Sequence, residues 1–232
     1  WQPIAKVLHD AGIFVSIVNA LLIYKYGNNS IRKGKTDKLD AVKIANYCLD
    51  RWTVLERYTP VDQIRQALKT CRRQYDQYIR LKVNLKNNLI TLLDGTFPGL
   101  NILFKSAPRN MDGHEKWVDF AGKFWHRECI CGNSEKAFTN QYKKWCAKAG
   151  YRFREEKASS IYAHAVSQVN TLPMTDSIKR LVTLAVSQLN TIIETISVIR
   201  HEMLTLAAQL PEYPVVMRMF GVGSVLGPQL MA

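Results

Sequence analysis

Ile178, Val182, Ala185, Leu189, Ile192, Ile196, Ile199, Met203, Leu206 and Leu210 recur at alternating gaps of four and three residues, and every one is apolar. A 4–3 repeat keeps one stripe of an α-helix facing a partner helix. Pro173 and Thr175-Asp176 carry helix-start chemistry, and Pro211 and Pro214 end it. The stretch therefore predicts a helix roughly 50 Å long at about 1.5 Å per residue. A second series runs upstream through Val61, Ile64, Leu68, Cys71, Tyr75, Tyr78, Lys82, Leu85, Leu89 and Leu92, broken only by Lys82. Pro60 with Asp62 marks its start, and Gly95 with Pro98 its stop. Two helices of similar length make an antiparallel pair within one chain, or each pairs with its copy in a dimer. The repeat alone is compatible with both.

The first long helix has a polar face of one sign. Arg65, Lys69, Arg72, Arg73, Arg80, Lys82 and Lys86 are opposed between Gln63 and Asn88 only by Asp76. Such a face repels itself unless a polyanion neutralises it, whereas a merely solvated face usually mixes signs. Tyr75, Tyr78, Asn84, Asn87 and Asn88 add stacking and hydrogen-bonding groups suited to RNA. The whole chain agrees in sign: 232 residues carry a net charge of +13 and a pI near 9.6. A polyanion, chiefly nucleic acid, is the expected partner. The best apolar run, Ile13 to Tyr24, is too short for a membrane span and contains Asn19, so no membrane partner is expected.

Lys35-Thr36-Asp37-Lys38-Leu39-Asp40-Ala41 places two carboxylates three residues apart at the start of a predicted helix, Leu39 to Leu49. Positions i and i+3 share a helix face. Asp37 and Asp40 can converge on one hard cation, since Mg²⁺ takes one or two protein carboxylates and keeps water or phosphate for the rest of its shell. The alternative is a helix cap and an acidic first turn that complements the helix dipole. Upstream, Gly12 to Asn19 reads as a buried strand, followed by a polar, basic loop from Gly27 to Lys35.

The order of strand, basic loop and Lys-Thr-Asp-Lys-Leu-Asp-Ala helix resembles the insertion-sequence 110/116/902 transposases. Arg80 to Leu89, Leu92-Leu-Asp and Phe97-Pro-Gly resemble the segment that follows the family's nuclease domain. Met219-Phe220-Gly221-Val222-Gly223-Ser224 to Ala232 resembles the opening of its C-terminal transposase domain. The resemblance implies a mainly α chain with an N-terminal α/β part. Residues 1–59 would be the end of a RuvC/RNase H-like DEDD domain, and 60–95 a basic coiled-coil helix. Residues 96–173 would be a helical insert, 174–210 the second coiled-coil helix, and 211–232 the start of a helix–hairpin–helix-like domain. It also implies DNA transposition guided by a structured RNA, with Mg²⁺ on four acids and a serine that attacks DNA. Asp37 and Asp40 correspond to the last two acids. The first Asp and the Glu would precede Trp1 and the serine would follow Ala232, so this stretch alone is expected to be inactive. The partners implied are the DNA of element ends and target, a guide RNA and further copies of the chain in a dimer or tetramer. The place implied is a prokaryotic cytoplasm, at the nucleoid. The nucleic-acid contacts expected are Lys35, the seven basic residues of the first long helix, Asn87, and Gly221 and Gly223, whose missing side chains let phosphate approach.

Two other readings compete. One is a RuvC-like Holliday-junction or structure-specific nuclease, needing metal but no serine. The other is a non-catalytic basic coiled-coil binder of RNA or DNA, with Asp37 only a cap. The insert, 101–172, reads as helices Glu115–His126, Ser134–Ala149 and Glu155–Val169. Trp117, Phe120, Phe124, Trp125, Phe138 and Trp145 are expected to form a small satellite core. Five cysteines are an odd set with no disulfide pattern. His126, Cys129 and Cys131 are too tightly spaced for the usual structural zinc site.

Overall fold

The computed structural model describes residues 1–26 and 37–232. The elements in order are α1 (Gln2–Asp10), α2 (Ala20–Lys25), α3 (Asp37–Asp50), a 3₁₀ turn (Trp52–Val54), α4 (Gln63–Thr96), α5 (Leu100–Leu103), α6 (Lys116–Lys123), α7 (Glu128–Cys131), α8 (Glu135–Ala149), α9 (Glu155–Ser167), α10 (Asp176–Ala207), α11 (Tyr213–Met217) and α12 (Leu226–Leu230). The protein is mainly helical, and no strand occurs among the described residues. Two compact units divide it, Trp1–Gln63 and Ile64–Ala232.

In the first unit the strand expected over Gly12–Asn19 is not formed. A strand exists through the backbone of its neighbours. Among the described residues its one backbone bond to a sequence-distant segment is Tyr58 N–H to the Val15 carbonyl at 2.7 Å; Gly12, Ile13 and Asn19 make turn bonds to His9, Leu8 and Leu22. Asn19 instead caps α2, its side chain accepting from Leu21 N at 2.9 Å. Helix α3 begins at Asp37, two residues before the expected start, and is tied to the segment before it by Lys43 Nζ donating to the Tyr24 carbonyl at 2.8 Å. Ala5 is the one buried hydrophobic residue described in this unit.

The second unit is built on α4 and α10. Thr175 caps α10, its hydroxyl accepting from Ile178 N at 3.4 Å. Every residue of the Ile178–Leu210 repeat is buried or half-buried. Val186, Ile193 and Ala207 are buried as well, so the stripe is wider than a two-helix seam and faces a layered core. The core has two clusters. Leu68 meets Met203, Ala207 and Leu210. Leu89 and Leu93 share the larger cluster with Val182, Ala185 and Leu189. The start of α4 thus lies with the end of α10 and the end of α4 with its start, which makes the two helices antiparallel. Helix α10 is long and apolar enough to cross a membrane by length and composition; its apolar stripe is the spine of this core.

The aromatic residues of the insert are not a satellite. Trp117, Phe120, Phe124, Trp125, Phe138 and the half-buried Trp145 join the same cluster as α4 and α10. Phe120 sits among Phe104, Phe124, Tyr142 and Trp145, with ring centroids 4.6–6.0 Å away. The expected helix Glu115–His126 ends at Lys123, and His126 is buried between a backbone donor and a backbone acceptor: its Nδ1 accepts from Glu128 N at 3.2 Å and its Nε2 donates to the Leu172 carbonyl at 3.1 Å. Both ring nitrogens are thereby occupied, and no group of three metal-binding side chains occurs among the described residues. Gly95, expected as a stop, is helical. Its lack of a side chain admits Leu172, whose Cδ1 would lie 2.6 Å from an added Cβ. The left-handed turn falls at Gly99, φ 73°.

Candidate metal and nucleic-acid sites

Asp37 and Asp40 occupy the first turn of α3, and both are exposed. Neither carboxylate has a hydrogen-bond or ion-pair partner among the described residues. By contrast Asp50, at the other end of the helix, accepts from the Tyr26 hydroxyl. Two unengaged carboxylates one helical turn apart suit a hard divalent cation that retains water or phosphate oxygens for its remaining positions. The oxygen donor chemistry of this pair fits Mg²⁺. Lys35 lies outside the described residues.

On α4 the tertiary fold sorts the basic residues into two sets. Lys82 and Lys86 turn toward Glu115, whose side chain is only 14% exposed. Lys86 Nζ donates to Glu115 Oε2 at 2.7 Å, Lys82 Nζ lies 3.9 Å from Oε1, and Trp117 Nε1 donates to Oε2 at 2.6 Å. Burial pushes the Glu115 carboxyl up. The hydrogen bonds from Lys86 and Trp117 and the charges of Lys86 and Lys82 outweigh that, holding it below the usual carboxylate range. The single break in the α4 repeat, Lys82, is thus a charge pair set into the helix interface. Arg65 pairs with Glu212 at 2.7 Å. Arg72 pairs with Asp76 at 3.0 Å and donates to the Gln229 carbonyl at 3.1 Å. Sequence reading counted one opposing carboxylate on this face; the fold brings Glu115 and Glu212 to it from far along the chain.

Lys69, Arg73 and Arg80 remain outward, with Asn84 and Asn87, all exposed. At 3.6 residues per turn these five share one narrow stripe. No ion pair engages the three cations among the described residues. A straight basic stripe followed by amide side chains can hold a phosphate backbone and then contact bases or sugars.

Gly221 adopts φ 80°, a conformation that glycine alone takes at no cost. Cβ atoms added at Gly221 or Gly223 would meet nothing within 4 Å. Both glycines lie in the turn joining α11 to α12, and Phe220 beside them is fully exposed.

The α3 acid pair and the basic α4 stripe fall within residues 1–98, the stretch that matches the model of a transposase family. That family is the IS110-type DEDD transposase, and the match supports an IS110-family transposase. No curated protein and no solved structure matches this chain.

Proposed function

We propose that this chain serves DNA transposition by an IS110-type transposase, with Asp37 and Asp40 as two of the ligands of a catalytic Mg²⁺. The observation that carries the reading is the unengaged pair of carboxylates in the first turn of α3, inside the segment that matches the family. A bound ion would orient and neutralise phosphodiester oxygens. Asp37 and Asp40 would hold it, and the helix beneath keeps their spacing.

The α4 stripe of Lys69, Arg73 and Arg80 is the proposed track for the partner nucleic acid. Asn84 and Asn87 at its end favour a structured guide RNA, because amides reach base edges and 2′-hydroxyls. Gly221 and Gly223, open to solvent, admit a phosphate backbone beside the turn.

The test is recombination by the full-length protein. Asp37→Asn and Asp40→Asn are each expected to lower recombination by roughly a hundredfold or more while leaving nucleic-acid affinity in place. Undiminished recombination in both variants would return the two residues to helix-start duty and leave a non-catalytic binder.

A further inference from the structure

The insert holds a cavity of about 950 Å³ that shares no residue with the acid pair or the α4 stripe. It lies beyond residues 1–98, in a part of the chain with no assigned role. Lys116 and Lys157 stand in its wall, with Lys105, Arg152 and Arg154 around them and one carboxylate, Glu156. Arg109 also lines it but is neutralised by Asp112 and Asp119. None of the other five cations has a carboxylate partner among the described residues.

The placement of Lys116 is specific. Its ammonium lies 5.7, 5.3 and 5.4 Å from the ring centres of Phe104, Tyr142 and Tyr151, and it donates to the Arg152 carbonyl at 3.0 Å. Lys157 stands 5.2 Å over the Phe104 ring and donates to the Leu103 carbonyl. Rings and carbonyls hold both ammoniums in place without cancelling their charge. Burial pulls the pKa of both lysines down, and for Lys157 the charges of Lys116 and Lys105 add to it. Tyr142 stands in the same wall, its ring against the Lys116 ammonium and its hydroxyl buried away from the cavity. A concave, like-charged wall is costly as it stands, and an anion would relieve it. The volume falls within the range of small-ligand sites, and half-buried Phe104 and Tyr151 offer apolar surface to a base or sugar.

We propose that this cavity binds the phosphate ester of a nucleotide, with Lys116 and Lys157 on the phosphate and Arg152 and Arg154 at the entrance. The same chemistry could come from a free nucleotide or from one unit of a single strand.

The experiment is an amine-acylation footprint on the 232-residue chain, read by mass spectrometry, with adenosine monophosphate or a twelve-residue oligouridylate as the probe. Lys136, exposed on α8, is the control. The expected result is protection of Lys116 and Lys157, with Lys136 unchanged. Protection by the monophosphate assigns the site to free nucleotides, and protection by the oligonucleotide alone assigns it to a strand. Arg152→Gln with Arg154→Gln, both exposed, is expected to weaken the protecting ligand by about tenfold through loss of two charge-assisted contacts. Should that variant fail to fold, the wild-type footprint decides. Absence of protection by either probe, or protection undiminished in a folded double variant, overturns the proposal.

Discussion

Residues 1–63 and 64–232 are both rich in apolar side chains, yet among the described residues all the buried ones except Ala5 lie in the second unit. In the first, Ile4, Val7 and Leu49 are 68%, 67% and 77% exposed, and Trp1 and Trp52 are exposed too. In the second, Leu68, Leu89, Phe120, Tyr142 and Leu189 are fully enclosed. The difference lies in what each apolar face meets. Helices α1, α2 and α3 leave many of their apolar residues exposed among the described residues, with edge-on aromatic contacts such as Tyr26 with Tyr47 in place of a closed core. Helices α4 and α10 close on each other and on α6, so each stripe finds a neighbour. Amphipathic patterning is a requirement for a second layer, and folding meets it only where that layer exists.

The sharpest test of the contrast is a pair of truncations. Phe120→Ala is expected to destabilise the second unit by about 3–5 kcal/mol, because it opens a cavity among four rings. Leu49→Ala is expected to cost no more than about 0.5 kcal/mol, as an exposed change. Denaturant unfolding of both variants checks this, and equal losses would break the comparison.

Next in size is nucleic-acid binding. Reversing Lys69, Arg73 and Arg80 to Glu is expected to cut affinity for single-stranded RNA by roughly a hundredfold and to flatten the log–log salt slope by about 2, at about 0.7 per phosphate contact. The same reversal at Lys82 and Lys86 should instead act on stability, since those two are held by Glu115. Binding titrations across salt, beside thermal melts, separate the two sets. Loss of affinity without loss of stability at Lys82 and Lys86 would contradict the sorting.

Smaller still is the Glu115 pair. Glu115→Gln is expected to destabilise by about 2 kcal/mol, leaving two lysines against an apolar interface without their counter-charge. The smallest effect concerns acid. Asp112 is pulled down from 3.8 to about 2, first by its hydrogen bond with Arg109 and then by the His114 backbone and nearby positive charge. A depressed carboxyl pKa contributes stability that is fully present above pH about 4 and is lost as pH falls toward 2. Asp112→Asn should therefore flatten the stability profile between pH 4 and 2 by roughly 1 kcal/mol, allowing for solvent screening. An unchanged acid limb in the variant would remove Asp112 from the account.

Much of the second unit could be read from residues alone. Thr175, the 4–3 repeat and Pro211 bracketed α10 to within a few positions, because caps, periodicity and proline act locally. The expected helix Ser134–Ala149 likewise matches α8, Glu135–Ala149, to within one position. The candidate acid pair was likewise visible, since i and i+3 on a helix are neighbours whatever surrounds them. The segment Gly12–Asn19 went the other way: its apolar run reads as a strand, but pairing depends on other backbone that periodicity cannot supply. Lys82 was legible only as an interruption. Its reason, Glu115, lies thirty-three residues further along the chain.

Sequence by itself therefore determined the long helices α4 and α10, the helices α8 and α9, the Thr175 cap, the basic balance of the chain, and the spacing of Asp37 and Asp40. Each rests on forces that act within one or two turns. Tertiary structure alone decided that α4 and α10 run antiparallel, and that the aromatic insert belongs to their core. It also decided which cations are spent on carboxylates and which stay outward, and that Lys116 and Lys157 share a cavity wall. These outcomes depend on burial and on charges brought together across long stretches of chain, and both exist only once the layers have closed.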